Sequence, residues 1–288
     1  MSVPSLAVLT PSYRPDVELF EDLHRSVLRW TPEQVVHHVV VPRSDLELFR
    51  AFEGPRCRLL TEEDTLPRRF VRTPTAYSIN LRRPLPPIRG WILQQIIKLS
   101  AAAALAEDLV LLVDSDVELV RPVQAERLLQ DGQAPLYRKP DAIGVDMKRH
   151  WIWHQVARKL LGLPAGAPPA PDYVSSLMLW ETAAVRALLR RVEDVAQRPW
   201  QDVVGAQLHF SEWTLYGIFV HEVLRPGTAV VTGRDRCHNY WEPTPLTTET
   251  ASDFVAALPD DDLAVMISAK SRTPLEVRRQ ALGVLRQA

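Results

Sequence analysis

Short apolar runs alternate with helical repeats through the first half of the chain. An apolar run at residues 6–9 is followed by apolar positions three and four residues apart over 20–30, and then by a β-branched run at 35–41. Farther along, residues 91–103 repeat the helical spacing and residues 109–113 form another continuous apolar run. Runs without polar alternation are typical of strands buried on both faces. The pattern therefore predicts an α/β fold with a mainly parallel central sheet flanked by helices.

The pattern between and after these elements is less regular. Residues 57–60 could form a third strand, but residues 61–90 contain five prolines and six arginines and show no clear period. We expect this segment to be a long functional loop, because compact domains rarely keep such loops without a use for them. We expect its arginines to line a phosphate-bearing ligand or to close over it. These arginines are Arg68, Arg69, Arg72, Arg82, Arg83 and Arg89.

The second half of the chain predicts isolated elements. Strands are expected at residues 135–138, 174–180, 229–232 and 263–268, and helices at 181–195, at 212–220 and from 274 onward. The irregular stretches between them are typical of a region that adapts to a variable substrate.

Composition limits the partners of the chain. Its 288 residues include 34 Lys and Arg against 35 Asp and Glu, for a net charge of −1, so we expect neither nucleic acid nor an anionic lipid surface as a partner. Two cysteines are too few for a disulfide framework and are typical of a cytoplasmic protein. The most apolar segment, residues 101–113, is interrupted by Glu107 and Asp108, so no membrane span or signal peptide is expected. With only 11 glycines in the chain, we expect no glycine-rich phosphate loop.

Two carboxylates close the apolar run that ends at residue 113. Asp114 and Asp116 flank Ser115, and like charges this close together must be offset. A divalent cation such as Mg²⁺ or Mn²⁺ would offset them through hard oxygen ligands, and it would also neutralise a diphosphate. The alternative is a turn at a strand end, since Asp and Ser also cap helices.

Four segments together resemble the GT-A class of nucleotide-sugar glycosyltransferases. They are Thr-Pro-Ser-Tyr at 10–13, Gly-Trp-Ile-Leu-Gln-Gln-Ile-Ile-Lys-Leu at 90–99, Val-Asp-Ser-Asp at 113–116 and Ser-Glu-Trp-Thr-Leu-Tyr-Gly at 211–217. The chain is similar in particular to a group of bacterial glycosyltransferase-like proteins of uncertain substrate. The likeness covers most of residues 5–240.

The resemblance implies a GT-A-like, Rossmann-type fold in a single domain of residues 1–288. Residues 1–120 would bind the nucleotide, and residues 121–288 would form an irregular acceptor half with a C-terminal helix. The implied reaction moves a sugar from a nucleotide diphosphate sugar to a hydroxyl-bearing small molecule or glycan, with Mn²⁺ or Mg²⁺ as cofactor. The donor-binding residues would be Thr10, Pro11, Ser12, Tyr13, Gln94, Gln95, Lys98, Asp114 and Ser115. The alternative for Gln94, Gln95 and Lys98 is the solvated face of an amphipathic helix.

Metal and catalytic roles follow from the same resemblance. Asp114, Asp116 and His238 would hold the metal, although a lone histidine is more often only hydrogen-bonded. Glu212 and Asp116 would be catalytic, with Glu212 acting as general base on the acceptor hydroxyl if the enzyme inverts configuration. The alternative for Glu212 is an acidic residue that complements a helix dipole.

Two other functions compete with this hypothesis. Asp114-Ser115-Asp116-Val117 also fits the first motif of haloacid-dehalogenase-like phosphatases, in which Asp114 would be the nucleophile and residues 260–262 a later acidic motif. That motif normally closes the first strand of its domain, whereas a complete strand-helix-strand unit precedes it here. A non-catalytic protein that binds nucleotide sugars or glycans is the third possibility.

Overall fold

The central sheet has five strands. The computed structural model describes residues 3–73, 75 and 77–285. The strands of this sheet are β1 (Leu6–Pro11), β2 (Val36–Val41), β3 (Cys57–Thr61), β7 (Leu109–Leu112) and β12 (Met178–Glu181), numbered in chain order. They lie in the order β12-β7-β1-β2-β3, in which only β12 is antiparallel to its neighbour. The predicted α/β fold with a mainly parallel central sheet is confirmed.

Helices cover both faces of this sheet, and the burial of β1 shows why its sequence is a continuous apolar run. Ala7 and Leu9 belong to one hydrophobic cluster, whereas Leu6 and Val8 belong to another. Successive side chains of a strand point to opposite faces, so each face has its own core. The helices are α1 (Val17–Trp30), α2 (Leu46–Phe49), α3 (Glu62–Thr65), α4 (Gly90–Ala104), α5 (Ala125–Leu128), α6 (Lys148–Leu160), α7 (Thr182–Ala196), α8 (Trp200–Gly205), α9 (Glu212–Ile218), α10 (Thr248–Ala256) and α11 (Leu275–Gly283).

The long loop predicted for residues 61–90 is wrong, because most of this segment forms regular structure. After α3 it forms β4 (Phe70–Arg72), β5 (Tyr77–Asn80) and β6 (Arg83–Arg89), which make a three-stranded antiparallel sheet. The strand pattern of β6 is not evident from the sequence, because this strand contains three prolines. An edge strand tolerates proline, since the N–H groups on its open side need no strand partner.

Shorter strands complete the second half. β8 (Val117–Leu119), β14 (Cys237–Tyr240) and β15 (Ala264–Ile267) form a second three-stranded sheet in the order β14-β15-β8. The remaining pairs are β9 (Leu136–Tyr137) with β13 (Val231–Thr232), and β10 (Lys139–Ile143) with β11 (Ala170–Asp172). Within the described residues, no helix combines the length and the apolar character needed to cross a bilayer.

The order of the central strands creates a crevice beside β1. From β1 the chain proceeds to β2 and β3 on one side, and it returns to place β7 on the other side. Parallel strands whose connections leave in opposite directions diverge at their carboxyl ends, where ligands of open α/β sheets bind. The loops that follow β1 and β7 therefore line the expected binding crevice.

Candidate active site

The loops after β1 and β7 are joined at this crevice by a hydrogen bond between two buried serines. Ser115 Oγ donates to Ser12 Oγ at 2.9 Å. The backbone N–H of Ser12 also donates to the carbonyl of Val40 on β2, at 2.9 Å. Ser12 and Ser115 are 6% and 5% exposed. These serines thus fix the two loops against each other and set the position of the neighbouring carboxylates.

Lys98 reaches this position from helix α4. The helix leads into β7 and runs antiparallel to it, so its N-terminal half lies at the carboxyl edge of the sheet. Lys98 Nζ lies 2.8 Å from Asp114 Oδ1 and 3.2 Å from Glu212 Oε1. Burial alone would lower the pKa of Lys98, but the charges of Asp114 and Glu212 outweigh burial and raise that pKa. The structure therefore holds a protonated ammonium group between two carboxylates, and the solvated-face alternative fails for Lys98.

Glu212 is the first residue of α9, and its carboxylate contacts Lys98. The side chain of Ser211 caps the helix by accepting a hydrogen bond from the N–H of Thr214, and Gln95 Oε1 accepts one from the N–H of Glu212 at 2.8 Å. Glu212 is 1% exposed. Burial raises the pKa of its carboxyl, and the nearby charge of Lys98 partly opposes that rise. Gln95 is also buried, so it is a positioning residue for Glu212 rather than part of a solvated face.

Asp116 is held by the C-terminal part of the chain. Its Oδ2 accepts a hydrogen bond from the N–H of Ala269 at 2.8 Å, and its carbonyl accepts one from Arg278 Nη2 at 3.0 Å. Burial raises the pKa of the Asp116 carboxyl, and the charge of Asp114 raises it further. Arg278, on α11, is 4% exposed and also donates to the carbonyl of Ile267 at 2.6 Å.

Asp16 is a third carboxylate at the crevice that the sequence analysis missed. Burial, followed by the charges of Asp116 and Asp114, raises the pKa of Asp16 to about 6. The signal that could have identified it is its position three residues after Tyr13, in the loop that leaves β1 at the carboxyl edge.

The segment at residues 10–13 contributes less to the crevice than expected. Thr10 is fully buried within β1, and its hydroxyl group is hydrogen-bonded to His37 Nε2 at 2.9 Å. Pro11 is buried as the last residue of the strand. The side chains of Thr10 and Pro11 are therefore not exposed at the crevice. Tyr13, by contrast, is 49% exposed. Gln94 is half-buried on α4.

His238 does not join the two aspartates in a metal site. Its Nε2 is hydrogen-bonded to the carbonyl of Phe254 at 2.8 Å, and its ring stacks on the Phe254 ring at 4.1 Å. Across the described ranges, no group of three or more His, Cys, Asp and Glu side chains is placed to hold a metal ion. The sequence motif does not reveal this, because β14 directs His238 toward helix α10.

The remaining donor set nevertheless fits Mg²⁺ or Mn²⁺. Asp114 and Asp116 both offer carboxylate oxygens, and they are close enough for the charge of Asp114 to raise the pKa of Asp116. A bound cation would relieve this repulsion between the two carboxylates. Mg²⁺ commonly uses one or two protein carboxylates and completes its shell with water and the phosphates of a substrate. Two aspartates are therefore enough for a cation that arrives with a diphosphate.

Two arginines of the 61–90 segment form ion pairs with neighbouring helices. Arg69 Nε lies 2.7 Å from Asp202 Oδ1, and Arg72 lies 2.5 Å from Glu62. These pairs attach the small antiparallel sheet to α8 and α3, respectively.

The acidic cluster that the phosphatase alternative requires has another partner. Arg234 forms an ion pair with Asp261, and it lies 3.7 Å from Asp262. The strand before Asp114 is also the seventh strand of the chain rather than the first. The phosphatase alternative is therefore not favoured.

Comparison with solved structures finds glycosyltransferases at low identity. Galactosyltransferase LgtC, in complex with donor and acceptor sugar analogs, is 14% identical over 91% of this chain and 86% of that chain, with a TM-score of 0.45. Mouse xyloside xylosyltransferase 1 is 13% identical over 93% of this chain and 99% of that chain, with a TM-score of 0.48. Glycosyltransferase GlyE of Streptococcus pneumoniae is 11% identical over 92% of this chain and 54% of that chain, with a TM-score of 0.44.

The curated proteins contain no match to this chain. Residues 5–244 match the family described as "Family of unknown function (DUF6492)". This range includes the crevice loops, Lys98 and Glu212, but it ends before Arg278. Because the match covers most of the sequence, the chain belongs to this family of unknown function.

Proposed function

We propose that this protein is a metal-dependent glycosyltransferase that moves a sugar from a nucleotide diphosphate sugar to a hydroxyl acceptor. The observation that supports this most is the meeting of Asp114, Asp116 and the buried ammonium of Lys98 at the crevice between β1 and β7. A crevice at such a switch point suits a nucleotide. Tyr13, whose exposed side chain leaves the same edge, would be the ring contact for the base.

The carboxylates and Lys98 have separate tasks in this proposal. A bound Mn²⁺ or Mg²⁺ would be held by Asp114 and Asp116 and would offset the charge of the departing nucleotide diphosphate. Ala269 and Arg278 keep Asp116 in place for this task. Lys98 lies 2.8 Å from one oxygen of Asp114, so the other oxygen remains available to the metal.

Glu212 acts in this proposal as a positioning residue. A general base must lie within hydrogen-bond reach of the hydroxyl that it deprotonates. The carboxylate of Glu212 is 1% exposed and contacts Lys98, so the geometry favours a role in holding the ammonium at Asp114. An inverting reaction with Glu212 as the general base would require the acceptor hydroxyl to reach the buried carboxylate of Glu212 past Lys98.

The test is a thermal-shift screen of nucleotide diphosphate sugars with and without Mn²⁺, followed by a transfer assay with the sugars that bind. A ligand that binds only the folded state stabilises it by about 2.7 kcal/mol at a hundredfold excess over Kd. We expect a metal-dependent shift that Asp116→Asn abolishes. The matched control is Asp260→Asn, which changes an exposed aspartate of the alternative phosphatase motif.

Two results would overturn the proposal. One is hydrolysis of a generic phosphomonoester combined with no response to any nucleotide sugar, which would favour the phosphatase. The other is metal-dependent donor binding that Asp116→Asn leaves at full strength. Binding of a donor with neither transfer to a hydroxyl acceptor nor hydrolysis of the donor would favour the non-catalytic binding protein.

A further inference from the structure

The segment that leads into α4 is strongly basic. Residues 66–90 contain six arginines and no aspartate or glutamate, although the whole chain has a net charge of −1. Two of these arginines are paired with Asp202 and Glu62, as described above. The other four are exposed to solvent: Arg68, Arg82, Arg83 and Arg89.

The same segment exposes large apolar side chains. The antiparallel sheet packs one face on the core through Phe70, Ser78 and Ile88, which are all buried. Strand alternation turns Val71 and Tyr77 to the opposite face, where they are 40% and 45% exposed.

The hairpin between β5 and β6 extends this exposed apolar surface. Leu81 lies at its turn and is 59% exposed, and Leu85 on β6 is 75% exposed. Arg82 and Arg83 lie between these two leucines in sequence. We call the exposed side chains of this small sheet and its hairpin turn the outer face: Val71, Tyr77, Leu81, Leu85, Arg82, Arg83 and Arg89.

One end of the outer face lies near the crevice. Tyr77 pairs directly with Arg89 at the end of β6, and α4 begins at the next residue. The N-terminus of α4 is at the carboxyl edge of the central sheet, as the position of Lys98 beside Asp114 requires. The end of the outer face at Tyr77 and Arg89 therefore lies near this edge, whereas the hairpin turn at Leu81 and Arg82 lies at the opposite end of β6.

We propose that the outer face docks the protein on a bilayer surface that contains anionic lipids, which revises the expectation drawn from the net charge of the whole chain. Arginine guanidinium groups pair with lipid phosphates while exposed leucine and tyrosine side chains enter the boundary between headgroups and acyl chains. A second copy of the chain is a poor occupant, because its outer face carries the same positive charge. A nucleic acid would leave the leucines without an apolar partner. This inference does not depend on the proposed glycosyl transfer.

The experiment is sedimentation of the full chain with vesicles of phosphatidylcholine, with and without about one third phosphatidylglycerol. We expect binding to the anionic vesicles that weakens as salt is added. Each basic residue near such a surface contributes about fivefold to binding. Arg82→Glu with Arg83→Glu should therefore weaken binding at least on the order of thirtyfold.

A second variant tests the apolar contribution separately. Leu81→Ser with Leu85→Ser should weaken binding to the anionic vesicles by at least tenfold, as expected from about 0.8 kcal/mol for each buried methylene group. Melting curves verify that each variant is folded. The matched controls are Arg127→Glu with Arg190→Glu and Val3→Ser with Val145→Ser, which change exposed residues elsewhere.

Three outcomes would overturn the inference. They are no binding to the anionic vesicles, binding that the outer-face variants leave unchanged, and equal loss in the control variants. If vesicle binding is absent, self-association or binding to single-stranded RNA through the outer face would identify a different occupant. Ultracentrifugation and a filter-binding assay measure those two alternatives.

Discussion

The ammonium group of Lys98 compensates the negative charges of two carboxylates at the crevice. This group is almost fully buried and contacts Asp114 and Glu212. The ring of Trp213 lies 4.6 Å from the same nitrogen, which adds a cation–π contact. Removing one partner of a buried ion pair leaves an uncompensated charge, which is why such changes cost more than the pair itself contributes.

We expect Lys98→Met to lower the free energy of unfolding by about 3–5 kcal/mol, because it leaves Glu212 buried without a cation. Adding Glu212→Gln to this variant should recover at least about 1 kcal/mol, since the amide carries no charge to compensate. Urea denaturation of the wild type, the two single variants and the double variant measures this coupling. Additive effects of the two changes would show that Lys98 and Glu212 do not act as a pair.

The second expectation at this scale concerns Glu212 in the proposed reaction. Glu212→Gln should weaken donor affinity about tenfold, because Lys98 loses one of the charges that hold it at Asp114. A general base would behave differently, since its loss lowers kcat by about 10²–10⁴-fold and leaves donor affinity unchanged. Calorimetric donor titration together with kcat separates the two roles.

Helix α9 is packed so closely on β11 and the residues that follow it that one position requires glycine. A Cβ atom on Gly217 would lie 2.3 Å from Tyr173 Cγ, well inside the contact distance of two carbon atoms. The preceding residue, Tyr216, is also buried, and its hydroxyl oxygen accepts a hydrogen bond from the N–H of Glu181 at 3.1 Å. The Tyr-Gly pair therefore sets how α9 approaches the central sheet, and with it the position of Glu212.

We expect Gly217→Ala to destabilise the fold by about 1–3 kcal/mol through overpacking against Tyr173. In a chain of this size that change corresponds to a loss of several degrees in Tm. The matched control is Gly54→Ala, because a Cβ atom on Gly54 would meet no neighbour within 4 Å. Differential scanning calorimetry of the two variants makes the comparison. Equal Tm values would mean that the helix moves away without cost.

A buried histidine pair couples α1 to β2. The Nδ1 atoms of His24 and His37 lie 3.0 Å apart, and His37 is fully buried. Burial lowers the pKa of His24 to about 4, and it lowers the pKa of His37 well below its ordinary range. In the unfolded chain both side chains would bind protons near pH 6.5, so the unfolded state binds more protons than the folded state below that pH.

Stability should therefore fall as the pH decreases from about 7 toward 4, and it should be retained above pH 7. Urea denaturation at a series of pH values measures this slope. His24→Phe removes one of the two sites, so we expect a shallower slope in that variant. His209→Phe is the control outside the pair. An unchanged slope in the His24 variant would contradict the role of the pair.

The whole chain, rather than its first half, builds the crevice. β12 from the second half completes the central sheet beside β7, and Arg278 on α11 holds the backbone of Asp116. Arg278 lies beyond residues 5–244, the range of the family match. The C-terminal part of the chain is thus a structural support for the proposed metal ligand.

We expect Arg278→Met to lower the stability by about 1–3 kcal/mol, because it removes the buried guanidinium group that donates to the carbonyls of Asp116 and Ile267. The same variant should reduce the Mn²⁺-dependent thermal shift with donor. The neighbouring Arg279→Met is the control, since Arg279 is partly exposed and pairs with α1 instead. The metal-dependent shift should stay intact in that variant, whatever the loss of the ion pair with the buried Asp22 costs in stability. Equal metal responses in both variants would remove Arg278 from the proposed site.

Local sequence patterns were sufficient to predict the core of the fold. Continuous apolar runs predicted β1, β2 and β7, and the spacing of apolar residues predicted α1 and α4. Both signals arise from which side of a single element is buried, so a short window of sequence contains them. The carboxylates at the end of β7 followed from the same reasoning, because a parallel sheet brings its strand ends to one edge.

The partners of those carboxylates required the tertiary structure. Gln95 and Glu212 are 117 positions apart, and Asp116 and Arg278 are 162 positions apart. No periodic pattern indicates which two distant side chains will meet, because their contact depends on how whole helices pack. The same reason explains why Lys98 could not be distinguished from a solvated residue and why His238 was assigned to the metal. By itself the sequence determined the sheet and the edge at which its chemistry lies. Only the packing of α4, α9 and α11 decided which charges meet there, since burial and ion pairing depend on three-dimensional neighbours.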